Sequence, residues 1–233
     1  MIAVSVFSAL PEELWISLGL TLRLAGIVTI LLLVIGVLLG YWFSTCRWRG
    51  MVVVETLVNL PIVLPPTVIG FYLLMLFSPE HPVGRFWYRI TGETLTFNFS
   101  GLVIGSILYS LPYAVQPISA GFKSVRGAHI DAAISLGATP WRAFWRITVP
   151  LSWRGLMTGA ILAFAHTLGE FGVVVMLGGS IPGKTRVASI ALYDAVQKLD
   201  YGTANTFAAL LLVISFALLL LLGWVQGRSV REA

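Results

Sequence analysis

Apolar residues run in long blocks, separated by short stretches that collect most of the charges. A helix that crosses a bilayer needs about 20 mostly apolar residues. Five blocks are long enough: 14–43, 52–77, 101–122, 151–177 and 203–225. The first carries one charge, Arg23. The second contains Glu55, Asn59, Pro61, Pro65 and Pro66. The third has no acid or arginine. The fourth holds Arg154, His166 and Glu170. The fifth is uncharged and includes the leucine-rich stretch from Leu210 to Leu222. The pattern predicts an all-α, polytopic membrane bundle of five to six transmembrane helices. A membrane barrel would instead alternate polar and apolar residues over about 10 positions. The first block exceeds one perpendicular span, so it tilts or lays its Trp15 end along the interface. The moderately apolar segment 187–198 is expected as a short helix outside the core or a shallow re-entrant one. Full entry into the bilayer would make it the sixth span.

Composition agrees with lipid as the solvent. Of the 233 residues, 58% are apolar and 11% charged, and mean hydropathy is +0.91. Soluble domains carry about 25% charged residues. The net charge of +5 does not point to nucleic acid, because the cations fall mainly between apolar blocks, where they set orientation. Arg47, Arg49, Lys123, Arg126, Arg142, Arg146, Arg154, Arg228 and Arg231 fall on one side. Arg85, Arg89, Lys184, Arg186 and Lys198 fall on the other. The richer side is expected in the cytoplasm, with the N-terminus outside and the C-terminus inside. The first eleven residues lack the Lys or Arg of a secretory signal. A single cysteine, Cys46, cannot form an internal disulfide.

The loop 123–150 is the most patterned segment. It predicts two short helices. The first ends near Gly137, a natural left-handed stop. The second starts with Thr139 as N-cap and Pro140 at the first helical position. In the first, Ala128, Asp131, Ala132 and Ser135 share a small-residue face. In the second, Trp141, Phe144 and Trp145 lie beside Arg142 and Arg146, a composition suited to a membrane–water boundary. On helix physics alone, a connector that merely joins two spans fits as well.

Residue spacing adds to this. Asp131-Ala132-Ala133, three residues, Gly137, nine residues, then Ile147-Thr148-Val149-Pro150 resembles the Glu-Ala-Ala loop of ABC importer permease subunits. Asp131 replaces Glu and Val149 replaces Leu. The stretches Asn59–Gly70, Leu162–Gly172 and Ile181–Arg186 are similar to those of molybdate-type permeases, with sulfate/thiosulfate and tungstate permeases as near relatives. His166 departs from the polar residue expected there. The resemblance implies a single permease domain over 1–233, with 123–150 as a cytoplasmic coupling loop in the cell inner membrane. It assigns Asp131, Ala132, Ala133 and Gly137 to docking on a separate ATPase. It implies a second permease copy (a homodimer), two cytoplasmic ATPase subunits and an extracytoplasmic oxyanion-binding protein. No cofactor, metal or catalytic site is expected in this chain, and no segment has room for a nucleotide-binding domain.

Pro61, Pro65 and Pro66 interrupt the second span. A broken helix lining a cavity and a kink packed on its neighbours both satisfy the freed carbonyls. Thr67 offers a hydroxyl to an oxyanion. Glu170, set in Gly169-Glu170-Phe171-Gly172, is the most costly group if it lies deep. It repels a dianion, so a structural or gating role fits, paired with a neighbour such as His166 one turn back. A helix end near the outer interface fits too. Pro65, Pro66, Thr67, Gly169, Glu170 and Gly172 are therefore the candidate pathway or gate residues. Arg23 is expected to snorkel or meet a lipid phosphate.

Gly178–Thr185 matches the spacing of a phosphate-binding loop. That motif works only between a strand and a helix, and here a spanning helix precedes it. An external turn fits better, with Lys184 and Arg186 attracting an anion or an anion-loaded delivery protein. His81, His129 and His166 show no paired metal spacing. The expected function is ATP-driven molybdate import, with another oxyanion as the near alternative. A gradient-driven secondary transporter is the alternative of a different class, and a membrane enzyme the remaining rival.

Overall fold

The computed structural model describes residues 12–46, 48–125 and 127–227. Arg47, Arg126, Arg228 and Arg231, used above to orient the chain, lie outside them, as do the first eleven residues. The described chain is helical: α1 (Glu12–Thr45), α2 (Met51–Val63), α3 (Pro66–Phe77), α4 (Pro82–Thr91), α5 (Phe99–Ser124) and α6 (Gly127–Ser135). It continues through α7 (Pro140–Leu151), α8 (Trp153–Leu168), α9 (Gly172–Gly178), α10 (Ala188–Gln197) and α11 (Tyr201–Gly227). Three helices, α1, α5 and α11, are long and apolar enough to cross a membrane, or up to 5 spans exist if each bent pair is one.

Two predicted spans are not straight. The block 52–77 divides into α2 and α3, which meet at 112°. Leu64 and Pro65 at the corner are extended, with ψ of 136° and 134°. Each precedes a proline, whose ring drives the residue before it out of the helical region. The block 151–177 begins at a 67° bend between α7 and α8, and its helix stops at Leu168 before α9 resumes at Gly172.

The core forms where α1, α5 and α8 meet. Leu24, Val28 and Leu32 of α1 pack with Leu102, Ala114 and Ile118 of α5 and Ala163 of α8. A Cβ on Gly155 would lie 2.8 Å from Gly121 Cα, so α5 and α8 approach nearly backbone to backbone. Lipid gives no hydrophobic drive between helices, and such small-residue contacts supply the packing. The segment 187–198 forms the short helix expected there and not a sixth span. As α10 it buries Ala188, Ile190, Ala191 and Ala195, partly against Leu14 and Leu18 of α1 and Phe207 of α11. Ten residues are too short to span, so it gains by laying its alanine face on longer neighbours. By contrast α11 buries only Ala204, Phe207 and Val225. Leu212 and Leu219 stay 68% and 60% exposed, as a lipid-facing helix requires.

α1 separates two ends of the molecule. Glu13 and Tyr41 stand about 40 Å apart at 1.5 Å per residue. Glu13 reaches Arg186, whereas Tyr41 packs on Phe144 of α7. The α6–α7 hairpin and the 180–200 region therefore occupy opposite ends.

Candidate coupling and translocation sites

α6 buries no residue. Asp131, Ala132 and Gly137 are exposed and Ala133 is half-buried. Leu136 is 89% exposed. The helix ends as its sequence dictates. Gly137 has φ +87°, its N–H donates to Ile134 O, and Ala138 N–H donates to Ala133 O. This paired closure around a left-handed glycine is a Schellman motif. Two residues later the Thr139 hydroxyl accepts the Arg142 N–H at 3.3 Å, and Pro140 takes the first helical position. The hairpin encloses a pocket of about 290 Å³ bordered by Ala133, Leu136, Gly137 and Arg142. Nine residues, none of them buried, cannot hold a helix by themselves. α6 is stable because its cap and its contacts with α7 hold it, and its outer face is free to be covered.

α7 anchors the hairpin to the bundle. Phe144–Thr148 is a π-helical turn, and the Phe144 ring packs 4.8 Å from Tyr41 and 6.0 Å from Phe122. At the bend, the buried Ser152 hydroxyl donates to Thr148 O at 2.6 Å. α8 then runs unbroken from this corner to Leu168.

The two helix breaks converge at the far end of α8. Gly172 follows one break and Pro66 the other, and a Cβ on Gly172 would sit 2.8 Å from Pro66 Cβ. α3 packs along α9 from there, with Gly70 against Met176. Glu170 lies in the corner, 4% exposed. Its carbonyl accepts the Ser189 hydroxyl of α10 at 2.6 Å. Neither carboxylate oxygen has a hydrogen-bond partner among the described residues. Pro65, Thr67 and Gly169 are exposed. The structure thus joins Pro66 to Gly172 and encloses Glu170, while the other three candidates border open space.

His166 does not pair with Glu170 as expected. Its Nδ1 lies 2.9 Å from Ser110 Oγ, and Ser110 also contacts Thr167 Oγ1 at 3.0 Å. The ring stacks 3.9 Å from Tyr113. A neighbouring helix therefore supplies the partner, because packing α8 on α5 brings a hydroxyl closer than the next turn can. Tyr109, Ser110, Tyr113 and Gln116 were not among the predicted site residues. Their signal was present as polar residues recurring at three- and four-residue steps within an uncharged span.

At the opposite end from the hairpin, Arg186 is taken up internally. Its guanidinium lies 3.4 Å from Glu13 and 3.2 Å from Asp194. This corrects its expected role as an outer-face cation, since two carboxylates already neutralise it. Lys184 is exposed. The Thr185 hydroxyl is buried and donates to Gly178 O at 2.7 Å, so the phosphate-loop spacing closes an ordinary turn. Asp200 caps α11 by accepting the Thr203 N–H, and its hydrogen bonds with Thr203 hold its carboxyl below the ordinary value. Arg23 is exposed, its guanidinium 5.0 Å from the Phe99 ring centroid. Among the described residues no group of His, Cys, Asp or Glu could hold a metal ion.

Long apolar helices, two helix breaks brought into contact and an exposed hairpin at one end define a polytopic membrane protein of transporter type. The chain belongs to the family described as binding-protein-dependent transport system inner membrane component, which it matches over residues 4–232. It is 42% identical over 210 residues to the molybdenum transport system permease protein ModB of Azotobacter vinelandii, covering 90% of this chain and 93% of that one. It is 32% identical over 200 residues to the sulfate transport system permease protein CysT of Synechocystis, covering 86% and 70%. Among solved structures, a bacterial ABC transporter that imports the acidic polysaccharide alginate shares the fold, with a TM-score of 0.75 at 20% identity over 99% of this chain and 82% of that one.

Proposed function

We propose that this chain is the permease subunit of an ATP-driven ABC importer that carries molybdate across the cytoplasmic membrane. The observation that carries the reading is the α6–α7 hairpin: an exposed helix, closed at its C-terminal end by Gly137, joined through a packed corner to the helix that runs toward the Pro66–Gly172 contact. Such a lever transmits the motion of a docked motor to a gate. Asp131, Ala132, Ala133 and Gly137 meet a separate cytoplasmic ATPase, which hydrolyses the ATP. Small side chains there allow close approach. Two copies of the chain enclose the path between them. An extracytoplasmic binding protein delivers the oxyanion to the face bearing Lys184. Closure of the ATPase pair draws the two hairpins together and opens the path outward, and hydrolysis resets it. The N-terminus lies outside and the C-terminus in the cytoplasm. Pro65, Pro66, Thr67, Gly169, Glu170 and Gly172 form the gate, with Glu170 kept behind the Pro66–Gly172 contact, where its charge does not face the anion.

The sulfate permease relative supports a second reading, in which sulfate or another tetrahedral oxyanion is carried. Vesicles holding the complex, its binding protein and ATP decide between them. Radiolabelled molybdate is expected to enter faster than sulfate. Asp131→Lys and Gly137→Trp are expected to release the ATPase subunit on purification. Retention of the ATPase and full uptake by both variants would falsify the coupling assignment.

A further inference from the structure

We infer that one face of α5, flanked by His166 and Asn59, is the wetted wall along which the oxyanion passes, and that neutral hydrogen-bond donors supply its contacts. Tyr109, Tyr113, Gln116, Ala120 and Lys123 are spaced by four and three residues, which puts them on one helix face. On one side α8 presents His166, whose Nδ1 is occupied by Ser110, leaving Nε2 as the ring's remaining polar atom. On the other side α2 presents Asn59, whose Oδ1 accepts the Gln116 Nε2 donor at 2.9 Å. Gln116 and Ala120 are exposed, and Tyr109 and Tyr113 half-buried. A cavity of about 170 Å³ runs along Asn59, Gln116, Ala120 and Lys123.

Lipid cannot satisfy this face. Amide and phenol groups in hydrocarbon cost several kcal/mol when unpaired, and the Tyr109 and Tyr113 rings both lie against His166. Pro117 also removes the donor that would pair the Tyr113 carbonyl. The face must therefore meet water. Its electrostatics suit a transient anion. Lys123, at one end, is 3.7 Å from Glu55, which offsets its charge. Phenol, amide and imidazole donors hold an oxyanion without the depth of a fixed cation, and conduction needs binding weak enough to release.

The oxyanion part of this inference rests on the importer reading, and the test keeps the two apart. The complex with its ATPase and binding protein is placed in vesicles and, separately, in nanodiscs. Tyr109→Phe with Tyr113→Phe keeps both rings and removes both hydroxyls. Molybdate uptake is expected to fall about tenfold or more, while ATP hydrolysis stimulated by the loaded binding protein persists. In nanodiscs of a Cys46→Ser background, Ala120→Cys is expected to react with a charged thiol reagent, and Leu212→Cys to stay unreactive. Unchanged uptake in the double phenylalanine variant overturns the donor role. An unreactive Ala120→Cys overturns the wetted wall. If the unmodified complex moves no oxyanion, the importer reading fails, and the thiol reactions still decide whether the wall is wet.

Discussion

Gly172 is a residue whose side chain matters by its absence. The Pro66–Gly172 contact leaves no room for a methyl group, since an added Cβ would come within 2.8 Å of Pro66 Cβ. Both partners are backbone-constrained, so neither can yield cheaply. Overpacking of this kind costs about 1–3 kcal/mol. Gly172→Val is expected to lower the melting temperature of the purified protein by several degrees and to reduce transport. Gly26→Ala, whose added Cβ meets nothing within 4 Å, is expected to leave both unchanged. Equal melting curves for the two variants would show that the breaks do not bear on each other. The glycine was already a gate candidate in the sequence. Its partner was not, because nothing local to Gly172 names Pro66.

At the scale of elements, the hairpin shows how far local chemistry reaches. Gly137, Thr139 and Pro140 act within one turn of their own positions, through a left-handed backbone, a hydroxyl acceptor and a fixed φ. Sequence alone therefore located both helix ends. Removing the cap in Thr139→Ala costs about 1 kcal/mol, because the Arg142 N–H loses its acceptor. Hydrogen exchange of the first-turn amides of α7 is expected to quicken about fivefold, with amides at the centre of α5 unaffected. Uniform exchange across both helices would instead indicate global destabilisation. The two proline- and glycine-marked breaks were visible too, but not their angles. A proline forbids the helix from continuing, whereas the 112° between α2 and α3 is set by what α3 packs against.

For the whole molecule, the separation of the two ends along α1 gives orientation a direct test. Leu136 on the hairpin and Lys184 on the opposite turn are both exposed. In a Cys46→Ser background, Leu136→Cys is expected to label only from the cytoplasmic side, and Lys184→Cys only from outside. Sealed right-side-out and inverted vesicles treated with an impermeant thiol reagent provide the measurement. Labelling of both from one side would contradict the proposed topology.

Composition and hydrophobic blocks determined the solvent, the all-helical class and the approximate place of each long helix, since hydration of apolar surface and backbone pairing in lipid act residue by residue. Capping and proline chemistry determined where helices stop. The three-dimensional packing alone decided that Pro66 meets Gly172, that His166 turns to Ser110 rather than Glu170, that Arg186 is neutralised by Glu13 and Asp194, and that α10 sits within the bundle. These contacts join residues far apart in the chain. Their free energy depends on which helix faces are brought together, a property that no short stretch of sequence contains.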